Sequence, residues 1–149
     1  MKRQTALEII SFLFIFLFTY AALVKLMDPE KFRAEIGQSP LLTDIAYPIS
    51  LVIPATEIII AILLVFPRLR FMGLLMSLSL MATFTIYIII IMNFSEQVPC
   101  SCGGVLQRMK WSDHLIFNIV FVILGIIGVR LQYIKTLGHT HSFKDILLQ

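Results

Sequence analysis

The sequence predicts an all-α fold, a single integral-membrane bundle of four helices with both termini in the cytoplasm. Three observations carry this. Of 149 residues, 58% are hydrophobic and 14% are charged, and the mean hydropathy is +0.91. A soluble domain is about half apolar and about a quarter charged. Four charge-poor apolar runs follow one another, and a bilayer crossing takes about 20 such residues. The connections are short, so the spans consume most of the chain and leave no room for a separate soluble domain. This composition excludes a disordered chain, a nucleic-acid binder and an ordinary cytosolic enzyme.

The first span is expected over residues 7–27, around the charge-free run Ile9 to Val24. Phe12, Phe14, Phe16, Phe18 and Tyr20 alternate there as in a strand, but the length and unbroken apolar filling favour a helix. Lys2 and Arg3 also suit a signal peptide. The run is long for one, and no small-x-small cleavage site precedes Lys25, so a retained helix is expected. The second span, 45–67, is broken only by Glu57. The third, 71–94, carries no charge. The fourth, 112–131, has a short apolar run, Leu115 to Val129, and must draw Trp111, Asp113, His114 and Arg130 towards the interfaces.

Direction follows from the basic residues. With the N-terminus inside, seven of the twelve Lys and Arg lie inside and five outside. The inner turn carries Arg68 and Arg70 and no acid. The positive-inside rule then places residues 96–110 in an outer loop and 132–149 in a cytoplasmic tail. The outer compartment permits disulfides.

That loop contains Pro99-Cys100-Ser101-Cys102-Gly103-Gly104. Two cysteines one residue apart can close only a small, strained ring, which is easily reduced and suits redox exchange. The glycines leave room for an incoming protein sulfur. A structural bridge would close almost no loop. A zinc site needs about two further ligands, and only His114 offers itself on that side, so no metal is expected.

Trp111, His114 and Asn118 fall on one helical face, starting nine residues after Cys102. An imidazole there can stabilise a thiolate, move a proton or hydrogen-bond a quinone oxygen. Interfacial anchoring and helix packing are the competing readings. Glu57 lies near mid-span, where an ionisable group needs a partner. Lys25 is the nearest cation by topology, and the two are expected to form a structural ion pair. Gly125 and Gly128 are read as close helix contacts, and His139 with His141 as solvated tail.

The run Tyr20 to Phe32 (YAALVKLMDPEKF), the Pro54-Ala55-Thr56-Glu57 segment, the Cys-x-Cys-Gly-Gly loop, and Trp111, His114 and Asn118 follow one another in a distinctive order. In this the chain resembles the methylamine utilisation MauE branch of the DoxX-like membrane proteins. Members often have an aromatic where Gly103 stands, and a Gly near the position of Ala21-Ala22. The resemblance implies a four-helix protein of the bacterial inner membrane that serves disulfide formation or thiol redox of exported proteins. The layout is similar to quinone-linked enzymes of the DsbB and vitamin K epoxide reductase type, whose second cysteine pair is missing here.

The expectation is therefore a thiol–disulfide oxidoreductase. Cys100 and Cys102 would exchange with a periplasmic thioredoxin-like dithiol protein, with His114 assisting and a quinone near Trp111, His114 and Asn118. An assembly factor for an exported partner is the main alternative, and a small transporter or metal-handling protein a lesser one.

Overall fold

The computed structural model describes residues 2–37, 43–94 and 111–147, and all of their regular structure is helical. The helices are α1 (Lys2–Met27), α2 (Pro29–Gly37), α3 (Ala46–Val65), α4 (Arg70–Phe94) and α5 (Trp111–Leu147), with a 3₁₀ turn at Thr43–Ile45 before α3. Four stretches are long and apolar enough to cross a membrane: Arg3–Met27, Thr43–Val65, Arg70–Asn93 and Ser112–Thr136. The chain is a multi-pass, all-helical membrane protein.

The strand-like alternation in α1 resolves as helix. Phe14 and Phe18 are fully buried at 0% and 1%, whereas Phe12 and Phe16 are 66% and 65% exposed. Residues two apart on a helix point to nearly opposite sides, and residues four apart share one. A period-two run of aromatics therefore supplies both a core stripe and a lipid stripe.

Around the bundle the order is α1, α3, α4, α5, with α5 closing back on α1. Gly128 lies against Ile10 and Leu74, and Gly125 against Phe14 and Leu78. Position numbers thus rise along α1 and α4 as they fall along α5, so α5 runs antiparallel to both. A tight turn at 66–69, with the Leu69 N–H donating to the Phe66 carbonyl at 3.0 Å, reverses α3 into α4. Gly73 sits so close to α3 that a Cβ there would lie 3.1 Å from the Leu64 backbone nitrogen. The bundle has a turn side, holding this connection, and a loop side, where 95–110 joins α4 to α5.

Several hydroxyls within the spans are satisfied by the carbonyl one turn back, as lipid demands. Ser11 donates to the Leu7 carbonyl (2.8 Å), Ser77 to Gly73 (2.7 Å) and Thr85 to Met81 (2.7 Å).

Two features go beyond the sequence reading. α2 is a separate helix started by Asp28, whose Oδ1 accepts from the Lys31 N–H at 3.1 Å, and by Pro29 at the first helical position. Its Phe32 and Ile36 pack on Ala46 at the loop end of α3. α5 also continues as helix well past its membrane-crossing stretch, into the residues read as tail.

Candidate functional site

Each spanning helix has an inward stripe at three- and four-residue spacing. On α1 it runs Leu7, Ile10, Phe14, Phe18, Ala22, Lys25; on α3, Ser50, Pro54, Glu57, Ile60, Leu64. On α5 it includes His114, Asn118, Gly125 and Gly128. On α1 and α5 the polar members Lys25, His114 and Asn118 stand towards the loop side, and Glu57 lies just past the middle of α3; on α4 the loop-side members Ile88 and Ile91 are apolar.

Lys25 and Glu57 are 6% and 1% exposed, and the Lys25 ammonium donates to Glu57 Oε1 at 2.7 Å. Lys25 stands in the last turn of α1, while Glu57 lies eleven residues into α3, about 16 Å from its start at 1.5 Å per residue. The lysine stem therefore reaches down into the bundle. Its ammonium also lies 3.4 Å from the Ala21 carbonyl and 5.5 Å from the Phe32 ring centroid. Phe32, on α2, covers the pair on that side with a cation–π contact. Nothing in the sequence reading singled out Phe32. The helix-start signal Asp28-Pro29 would have placed it on a helix, but not against the pair.

His114 and Asn118 are buried at 7% and 2%. The Asn118 side-chain amide donates to the His114 carbonyl at 2.9 Å, one turn back. α5, which carries His114, packs against α1, and α1 is joined to α3 through the Lys25–Glu57 pair. Deeper along α1 and α5, Phe14 meets Phe121 edge-on at 5.4 Å and Phe117 tilts against Phe121 at 4.7 Å, giving an aromatic layer between the polar groups and the turn side.

Cys100 and Cys102, with the rest of the expected outer loop, lie outside the described residues. Trp111 opens α5, but its side chain is also outside them, as are those of His139 and His141. Among the described residues no cluster of three or more His, Cys, Asp or Glu is placed to hold a metal ion. Connectivity alone sets the cysteines in the segment between the end of α4 and the start of α5, twelve residues before His114 in the case of Cys102.

A family model described as "Methylamine utilisation protein MauE" matches residues 3–131. No curated protein and no solved structure matches the chain.

Proposed function

The chain belongs to the methylamine utilisation protein MauE family, and from that premise we propose that it is a thiol–disulfide oxidoreductase of the bacterial inner membrane. One observation supports this above others. The Cys100-Ser101-Cys102 segment connects directly to the helix whose first turns carry the buried His114 and Asn118. A redox-capable pair thus precedes, by twelve residues of chain from Cys102, an imidazole able to handle a proton.

A thiolate of an exported, thioredoxin-like dithiol protein attacks one sulfur of the Cys100–Cys102 disulfide. The intramolecular S–S bond breaks and a mixed disulfide forms. The partner's second thiolate displaces it, leaving the partner oxidised and Cys100 and Cys102 as thiols. A quinone held near Trp111, His114 and Asn118 would supply the two-electron, two-proton acceptor through which the Cys100 and Cys102 thiols return to the disulfide. Trp111, His114 and Asn118 are the proposed quinone contacts, and His114 also stabilises a thiolate or moves its proton. The reverse sequence reduces the partner; the potentials of partner and quinone decide between them. In this reading both termini are cytoplasmic and the cysteines face the periplasm.

The test uses the full chain in membranes. A membrane-impermeant thiol reagent labels Cys100 or Cys102 in intact, reduced cells. Cys100→Ser and Cys102→Ser each abolish turnover of a dithiol substrate with added quinone, and one of them accumulates a reducible mixed disulfide. His114→Ala keeps the thiols but slows turnover about 100-fold. Full turnover in both cysteine variants with no trapped partner sinks the enzyme and leaves the assembly-factor reading.

A further inference from the structure

At the turn end of the bundle the core-facing stripes run out into basic side chains. On α1 the stripe Phe14, Ile10, Leu7 continues one turn further to Arg3. On α4, Ser77 and Leu74 lead to Arg70, and on α5, Gly125 and Gly128 lead to Gln132 and Lys135. Every step is three or four residues, so these side chains stand on the core-facing side of their helices. The register brings them level. Leu78 meets Gly125 and Leu74 meets Gly128, which continued one turn sets Arg70 beside Gln132. Phe14 meets Gly125 and Ile10 meets Gly128, which continued two turns sets Arg3 beside Lys135. Arg70 and Gln132 are half-buried, and Arg70 Nε and Gln132 Oε1 are enclosed with no hydrogen-bond partner among the described residues. Arg3 and Lys135, further out, are exposed.

Charge divides between the two ends. Among the described side chains the turn end holds Arg3, Arg68, Arg70, Arg130 and Lys135 against Glu8 alone. At the loop end, from Asp28 to Asp44 and at Asp113, acids outnumber bases five to two. Among the described residues no carboxylate pairs with any of the five turn-end cations. Membrane topology asks only that cations lie at the inner end and is indifferent to the helix face that carries them. Here three of the five share the core-facing side, where gathering like charge costs energy. Arg3 and Arg70 stand moreover in the first turns of α1 and α4, against the helix dipole. An anion between them relieves both costs. The membrane-crossing stretches begin at Arg3 and Arg70 and end at Thr136, so the cluster lies at the depth of lipid headgroups.

We propose that the turn end of the bundle binds one anionic phospholipid, its phosphodiester seated among Arg70, Arg3 and Lys135. A guanidinium offers paired N–H donors to phosphate oxygens, and basic pockets between membrane helices take such headgroups. The site lies at the end of the bundle away from residues 95–110 and is independent of the thiol reading.

Short-chain phosphatidylglycerol, titrated onto the full chain in neutral detergent and read by native mass spectrometry, tests it. One saturable lipid adduct should form, and zwitterionic phosphatidylcholine should bind at least about tenfold more weakly. Arg70→Gln should weaken phosphatidylglycerol binding about tenfold or more, as the loss of a charge-assisted hydrogen bond does. Lys135→Gln should weaken it about fivefold, and its exposed position keeps the test readable if Arg70→Gln does not fold. Arg130, two residues beyond Gly128, faces the other side of α5. Arg130→Gln removes the same charge and should change binding by no more than about twofold, since that side is open to screening ions. Equal losses in Lys135→Gln and Arg130→Gln would reduce the site to diffuse attraction and overturn it, as would equal binding of phosphatidylcholine. Displacement of the lipid by inorganic phosphate at matched concentration overturns the lipid as the occupant.

Discussion

In the turn-side half of the bundle, Phe14, Ile60, Leu64 and Leu74 pack as one apolar cluster. There the helices approach closely enough that glycines at 73, 125 and 128 stand against neighbouring side chains. In the loop-side half the helices are joined by a 2.7 Å ion pair with an aromatic cover. Lipid is as apolar as leucine, so the first half holds together by shape and the second by directional bonds. Shape fails by degrees, with the volume removed. A charge pair fails abruptly, because losing one partner strands the other.

The sharpest way to break the comparison is Lys25→Ala. It leaves Glu57 charged and alone, and should destabilise the protein by about 3–5 kcal/mol. Replacing both members by apolar residues of similar size, as in Lys25→Met with Glu57→Leu, should recover most of that loss. Thermal unfolding in detergent, followed by the amount of monodisperse protein, measures both. A single variant as stable as the parent would show that the pair contributes nothing to the fold.

Next in size, Leu64→Ala in the turn-side half should cost about 2–4 kcal/mol through the cavity it opens. Gly73→Ala should cost about 1–3 kcal/mol by overpacking, since part of what its Cβ meets is Leu64 backbone, which cannot swing aside. Gly128→Ala meets side-chain methyls of Ile10 and Leu74 rather than backbone and should cost less. The same unfolding assay ranks the three, and equal losses for both alanines would mean that backbone proximity is not what limits this interface. Smallest of all, Phe16→Ala on the lipid face should change stability by less than about 1 kcal/mol, since it exchanges ring–lipid for lipid–lipid contact.

Much of this was legible in the sequence because the bilayer is a strict solvent. Runs without charge have to be spans, and two ionisable residues, Lys25 and Glu57, have few places to go except towards each other. The His114 and Asn118 spacing likewise gave a shared face once α5 was known to be a helix. α2 was missed because nine residues rich in charge look like a loop when the search is for apolar periodicity. Its capping signal, Asp28 before Pro29, needed to be read on its own terms. The aromatic alternation in α1 was ambiguous for a physical reason: period two is also half of period four, and only the length of the run decides. Phe32 as the cover of the ion pair depends on how α2 folds back, which local sequence does not encode.

The four-residue turn between α3 and α4 has a consequence for biogenesis. Helices so closely coupled leave the translocon as one hairpin, and that hairpin carries Glu57 while its counter-charge sits on a helix inserted earlier. Inserting an ionised carboxylate at mid-span costs about 3 kcal/mol. The uncharged stretch 71–94 of α4 and the isoleucine-rich remainder of α3 offset it, but the carboxylate has no cation at its own depth until the hairpin finds α1. Docking of these two pieces is thus the step at which a stranded acid becomes a paired one. A chain that stalls before it would present quality-control proteases with an exposed intramembrane charge.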